Sequence, residues 1–459
     1  MTLEVNSRRS LAAVARMYRT AALIVMNTMV AFVLVNLVLA VVLHIATPSP
    51  PAPDGTRSLV PGSEAYEAGV RSAVRHGAFR DQERFFPLFT PEQVAALMLE
   101  TWLLRPYVYE SFTQFKEGPY RGRFVNVDVN GFRHGRAPAP WPPDSHALNV
   151  FVFGGSTIFG YGLPDDQTVP ARLEEALSKA GLRFPLRVYN FARGYYFSTQ
   201  ERVLFEQLIA SGTVPDVAVF VDGLNDFYNS LGEPQFTGRL RAFMAHAADP
   251  CPSPLFAMVR ELPIGRAARW VAERAASARR PPTPVLRPDA GEERREVPPR
   301  RDAARADLER VIDRFIENKR MIEAVAATGG VRVLFVWQPV PTYKYDLRYH
   351  PFAAKGFGAH ENSRLGYPRM AEIVREGRLG RDFLSCADIQ EGLRAALYID
   401  QTHYAPRMAS RVARCIAKGM IRRGTIATGR PPASPTGDAA ARHPERASGS
   451  AASARKPPP

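Results

Sequence analysis

From Thr20 to Pro53 no side chain of this 459-residue chain is charged, and Ala21–Ile45 is apolar apart from Asn27, Thr28, Asn36 and His44. Wound as a helix at about 1.5 Å per residue, that stretch is long enough to cross the ~30 Å hydrocarbon core of a bilayer. A cleaved secretory leader is the competing reading. Its apolar part usually runs to only about 7–15 residues and ends at a small-residue cleavage site, and ATPSPPAPDG after Ile45 offers no persuasive one. Arg8, Arg9, Arg16 and Arg19 precede the run, and no basic residue follows it closely. The positive-inside rule then keeps residues 1–20 in the cytoplasm and carries everything after Pro48 across. The expectation is a single-pass signal anchor over 21–45 in the inner membrane, with the remainder periplasmic.

What lies beyond is globular in composition, with 46% hydrophobic and 10% aromatic residues, and long enough for a sizeable core. The formal charge of +15 invites a nucleic-acid reading, but its distribution argues against one. Most of the excess falls in residues 1–20, in 260–301 (eleven arginines to six acids) and in the tail 425–459. A nucleic-acid surface needs a basic face on a folded module, and these segments read as linkers and tails. No nucleic-acid partner is expected.

Cys251, Cys386 and Cys415 make an odd count, so at least one thiol is unpaired within the chain. Outside the cytoplasm Cys386 and Cys415 could pair; three buried free thiols are the alternative. No Cys/His cluster suggests a metal, and no cofactor is expected.

Residues 46–59 form a proline-rich linker. Residues 60–146 are a preamble to the main domain, with a strand-and-turn signal in GRFVNVDVNGFR (122–133). From residue 147 the pattern alternates. Apolar runs at Asn149–Phe153, Arg187–Phe191, Val217–Val221 and Val331–Trp337 read as strands. Helical spacing appears around Val169, Leu173 and Leu177, around Val203, Leu204 and Leu208, from Leu308 to Val325, and over Pro406–Arg422. Strands alternating with helices of this length predict a parallel sheet covered on both faces. An insertion over 229–304 interrupts the pattern, and its proline- and arginine-rich part, 278–301, is expected to be disordered, as is the tail 425–459.

In such sheets, sites gather at the carboxyl ends of strands. Those ends read, in order, GGST (154–157), NFARGYY (190–196) and DGLND (222–226), and YIDQTHYAP (398–406) precedes the last helix. Each has an ordinary use taken alone: Ser156 as a helix N-cap, Gly194 as a turn, Asn225 and Asp226 as a capping pair, Asp400 and His403 as a polar turn. Together they supply what acyl transfer from an ester needs, namely a nucleophile, a base, its partner and donors for an oxyanion. Gln338, at a strand exit in VWQPVPTY, is a candidate substrate contact or part of a plain proline-rich exit. Arg133 in NGFR is a candidate anion contact or a surface arginine.

These four stretches resemble the sequence blocks of the SGNH (GDSL-like) hydrolases, over about 148–228 and 306–422, in a membrane-anchored bacterial form with a GGST nucleophile block. The resemblance implies Ser156 as nucleophile, His403 as base and Asp400 as its partner. It implies an oxyanion hole from the Ser156 amide, a second-block amide, for which Gly194 is the candidate, and the Asn225 side chain; Asp226 and Tyr195 are candidate substrate contacts. In the family a glycine precedes the second-block tyrosine; aligned on Gln200, Tyr195 stands there and Gly194 comes one position earlier, which leaves open which amide serves. The fold implied is a flavodoxin-like three-layer α/β/α sandwich with a central parallel sheet over 147–424, preceded by one transmembrane helix. The function expected is a serine esterase or O-acyltransferase acting on acetyl groups of envelope or exported glycans. A lipid esterase or thioesterase at the membrane surface, or a non-catalytic scaffold, are the rivals.

Overall fold

The computed structural model describes residues 2–46, 61–182, 184–247, 262–265, 267–268 and 301–427. Thr2–Ala46 is a single helix. Within it, Arg16–Ala40 is long and apolar enough to cross a membrane, and nearly all of it is exposed, with Asn36 the buried exception, its Oδ1 accepting the Ile264 N–H (3.1 Å). Two of its polar side chains satisfy themselves on the helix: Thr28 Oγ1 donates to the Ile24 carbonyl (2.8 Å) and Asn36 Nδ2 to that of Phe32 (2.9 Å). Such back-bonding gives each side chain a partner within its own helix.

The α/β reading holds. Five parallel strands, β1 (Leu148–Gly154), β2 (Leu186–Asn190), β3 (Val217–Asp222), β4 (Arg332–Trp337) and β5 (Phe383–Ser385), lie in the order β2-β1-β3-β4-β5. This is the flavodoxin-like order of a doubly wound sheet. The helices are α1 (Val169–Ser178), α2 (Ser198–Ala210), α3 (Arg301–Gly329), α4 (Asn362–Arg375) and α5 (Pro406–Arg422).

Successive side chains on a strand point to opposite faces, and here the two faces differ in kind. Val150, Val152, Val217, Val219, Val221, Leu334 and Val336 share one core with Leu173 and Leu177 of α1 and Met408, Val412 and Ile416 of α5. Phe151, Phe153, Phe220, Phe335 and Trp337 share the other with residues of α2, α3 and α4, including Phe205, Phe315 and Met370. The aliphatic layer and the aromatic layer cannot be exchanged by a one-residue slip without refilling both cores, so register is strongly specified.

The preamble is more structured than its sequence suggests. Glu64–Arg75 and Pro91–Leu99 are helices, the second opened by a Thr90/Gln93 capping box and running into a π-helical turn, Glu100–Leu104. A hairpin pairs Tyr107–Glu110 with Gln114–Glu117. The expected strand near 122–133 shrinks to Asn126–Val127, paired with Tyr120–Arg121. Cys386 and Cys415 are joined, tying the end of β5 to α5. Cys251, residues 278–300 and the tail from residue 428 lie outside the described residues; of the 229–304 insertion, Thr237–Ala247 is helical and 301–304 opens α3.

One buried pair deserves a prediction. Neither carboxylate oxygen of Glu201 on α2 has a hydrogen-bond partner among the described residues, nor does Oδ1 of Asp222 at the end of β3. Burial first, and then the neighbouring acids Asp222 and Asp226, push Glu201 well above the usual carboxylate range; burial and Asp226 do the same to Asp222. The pair therefore keeps a proton that the unfolded chain releases above about pH 4. Stability must fall as pH rises from there toward the raised value, by up to about 1.4 kcal/mol per pH unit for each proton retained. Glu201→Gln replaces the acid with a neutral isostere. Thermal melts at pH 5 and pH 8 should show a smaller drop in Tm for the variant; parallel curves would show that the pair holds no proton.

Candidate active site

β1 ends at Gly154, and after one extended residue, Gly155, the chain turns at once into a short helix, Ser156–Phe159. Gly155 is needed for its size: a Cβ there would collide with Asn225 Nδ2 and crowd the Tyr196 carbonyl. Asn225 stands on the short helix Leu224–Tyr228 that follows β3, and its Nδ2 donates to the Tyr196 carbonyl (2.8 Å). The side-chain amide is thereby held against the residue preceding Ser156.

His403 comes from the far end of the chain. The loop Tyr398–Tyr404 is closed by a bridge between those two tyrosines and by Ile399 N–H donating to the His403 carbonyl (2.9 Å). Inside it, Asp400 Oδ1 accepts the backbone N–H groups of Thr402 (2.9 Å) and His403 (2.8 Å), and Asp400 Oδ2 lies 2.8 Å from His403 Nδ1. Burial alone would raise the Asp400 pKa, but the facing His403 imidazole and these hydrogen bonds bring it below the usual carboxylate value. An ionised carboxylate only accepts, so Nδ1 carries the hydrogen and Nε2 is left as acceptor. Ser156 Oγ sits 2.8 Å from that Nε2. The structure thus brings together Ser156, Asn225 and the Asp400–His403 pair from three separate stretches.

The imidazole is boxed in. The ring of Trp102, from the π-helical turn, meets it edge-on with 4.9 Å between centres, and Tyr161 stacks on it at 5.4 Å. His360 is a further imidazole of this region, stacked on Tyr228; burial first, and then the neighbouring His403, pull its pKa down to about 3.

Four expected contacts have other roles. Gln338 is buried, and its Oε1 accepts hydrogen bonds from Thr157 Oγ1 (2.7 Å) and the Tyr404 hydroxyl (2.9 Å). It braces the residue after Ser156 to the residue after His403 and is not exposed to substrate. Arg133 is neither a surface arginine nor an anion contact. It is 1% exposed, pairs through Nε with Asp165 (2.8 Å), and donates to the carbonyls of Phe159, Gly160 and Leu163. It staples the turn that follows Ser156. Asp226 is fully buried, accepting from Ser198 Oγ (2.6 Å) and the Gly223 N–H (3.1 Å), so it caps its own helix.

The Gly194 N–H donates to Glu117 Oε1 (2.7 Å), so this amide is committed to a buried carboxylate and is not the second-block donor. Tyr195 adopts φ 62°, the left-handed conformation that glycine favours. Glu117, Trp102 and Tyr161 escape a strand-end reading. The first two lie in the preamble, where no periodicity marks them, and Tyr161 stands beyond the serine turn, in a position with no motif.

No protein-family model matches the sequence, and no curated protein matches it. Among solved structures, the chain is similar to a carbohydrate acetylesterase from Sinorhizobium meliloti, at 11% identity over 59% of this chain and 96% of that one, with a TM-score of 0.31. It is similar to a lipase/acylhydrolase from Enterococcus faecalis (10% identity, 61% and 98% covered, TM-score 0.33). A lipase from a goat rumen metagenome is a third (12%, 59% and 97%, TM-score 0.34).

Proposed function

We propose that the chain is a membrane-anchored serine esterase or O-acyltransferase of the SGNH type, with its catalytic domain on the periplasmic side. The reading is carried by one observation: the hydrogen-bonded line from Asp400 through His403 to Ser156, with 2.8 Å at each step. In the reaction, Ser156 Oγ attacks the ester carbonyl as His403 Nε2 takes its proton. Negative charge builds on the carbonyl oxygen. The Ser156 N–H, in the first helical turn with no preceding-turn carbonyl of its own, and the Asn225 amide are the donors assigned to it. Collapse of the tetrahedral species passes the proton from His403 to the leaving alkoxide and leaves an acyl group on Ser156. Water or a sugar hydroxyl then gives its proton to His403, attacks, and releases the acid or the new ester. Asp400 fixes the imidazole tautomer and stabilises the imidazolium without taking its proton.

Location supports the substrate class. A domain tethered beyond the inner membrane meets O-acylated glycans of the envelope, and acetyl groups on these are the substrates assigned here. A lipid ester is the second reading, favoured by the exposed Tyr109 and Phe112 of the hairpin whose second strand ends at Glu117. The ratio of kcat/KM for p-nitrophenyl acetate to that for a long-chain p-nitrophenyl ester separates the two.

Ser156→Ala should lower kcat for p-nitrophenyl acetate by ~10³-fold or more with the fold intact, as expected for a triad nucleophile. Asn225→Ala should lower kcat by ~10²–10³-fold with little change in KM. Retained turnover in purified Ser156→Ala would reduce the serine to a helix start, whereas a parent protein that neither turns over the ester nor is labelled by a fluorophosphonate would favour a scaffold. For orientation, alkaline phosphatase fused after residue 424 should be active; an inactive phosphatase beside an active cytoplasmic reporter would reverse the topology drawn from the four N-terminal arginines.

A further inference from the structure

The preamble enters the centre through buried charge. The Arg105 and Glu117 side chains are each 2% exposed and lie 3.6 Å apart. Arg105 donates to the Thr101 carbonyl (2.8 Å) and to the Tyr161 hydroxyl (2.6 Å), and the Tyr161 hydroxyl donates to Glu117 Oε1 (3.3 Å) and is paired with the Tyr107 hydroxyl. The same Oε1 accepts the Gly194 N–H at 2.7 Å. One carboxylate oxygen thus gathers the arginine, the tyrosine stacked on His403, and the loop after β2.

Burying such a pair is rarely a net gain in stability over well-packed apolar side chains, which directs attention to geometry. Gly194 cannot carry a side chain, because a Cβ would collide with the Tyr161 hydroxyl. Tyr195 follows in a left-handed conformation, which costs a non-glycine residue roughly 1–3 kcal/mol and persists only where its surroundings impose it. The restraints are visible: Glu117 on the Gly194 N–H, Asn229 Nδ2 on the Tyr195 carbonyl (3.4 Å), and Asn225 Nδ2 on the Tyr196 carbonyl (2.8 Å). The last of these orients the side chain assigned to the oxyanion.

We propose that Glu117 is a positioning residue of this centre: by holding Gly194 it fixes the loop 194–196, and through the Tyr196 carbonyl it turns Asn225 toward Ser156. The proposal rests on the esterase reading for its kinetic consequence, though not for its structural half. Glu117 touches no reacting atom, so its effect runs through Asn225.

The test uses the full chain in detergent, with p-nitrophenyl acetate as probe. Glu117→Ala should lower kcat by ~10–10²-fold, a fraction of the loss expected for removing an oxyanion donor, while KM stays within about threefold. Glu117→Gln keeps an acceptor for Gly194 and should restore most of kcat. In an Asn225→Ala background, Glu117→Ala should add less than about threefold, because the two act in series. Additive losses, or an unchanged kcat in folded Glu117→Ala, overturn the proposal. If that variant does not fold, Glu117→Asp takes its place; it keeps the charge beside Arg105 but stops one methylene short of Gly194. Hydrogen exchange of the 194–196 amides separates the two failures. It should be slow in the parent and in Glu117→Gln and fast in Glu117→Ala, whatever reaction the protein performs. That pattern in a protein inert to esters and fluorophosphonate would remove the esterase reading alone; unchanged exchange would remove the role of Glu117.

Discussion

The hydrogen bond between Ser156 and His403 joins residues 247 positions apart, and the rest of the domain is arranged so that it can form. Its two ends are set by different devices. Ser156 is placed by the end of β1, by the absence of a side chain at Gly155, and by Arg133, which holds three carbonyls of the turn beyond it. His403 is placed by a loop closed on itself at Tyr398 and Tyr404 and by four contacts to one carboxylate. Gln338, at the exit of β4, ties the two ends together through Thr157 and Tyr404. A displacement of either strand end would lengthen a bond whose strength depends on a few tenths of an ångström.

Charge is buried around this centre, and several instances have a geometric use. Glu100 is completely buried, yet it accepts hydrogen bonds from the Tyr66 hydroxyl and from the backbone N–H groups of Arg123, Phe124 and Val125. It thereby anchors the π-helical turn that delivers Trp102 to the imidazole. Arg133 and the Arg105–Glu117 pair do comparable work for the serine turn and the second-block loop. Desolvating such groups costs several kcal/mol each unless their hydrogen bonds are nearly complete. That cost is consistent with a site in which loops, which have little core of their own, must be held to fixed positions.

This division explains what was legible in the sequence. Four strands and four helices announce themselves through runs such as NVFVF and VAVFV and through helical spacing, because burial on a sheet or helix face imposes a period. β5 is only three residues long and carries no period, and α4 follows a long irregular stretch, so neither is evident. The stretches holding Ser156, Asn225 and His403 are recognisable because each ends an apolar strand or precedes the last helix. The roles of Arg133, Gln338 and Gly194 are not legible in the sequence for a common reason. Each is decided by a partner far away in sequence (Asp165, Thr157 and Glu117), and a linear pattern does not encode that pairing.

The central claim is that Ser156 carries the acyl group between donor and acceptor. The most direct measurement is to mix the protein with p-nitrophenyl acetate, quench in acid within the first turnover, and locate added mass by peptide mass spectrometry. The account predicts one acetyl group on the peptide containing Ser156, formed in the parent protein and missing from Ser156→Ala. Acetylation elsewhere with Ser156 unmodified, or product released with no acyl-protein formed at any time, would contradict it.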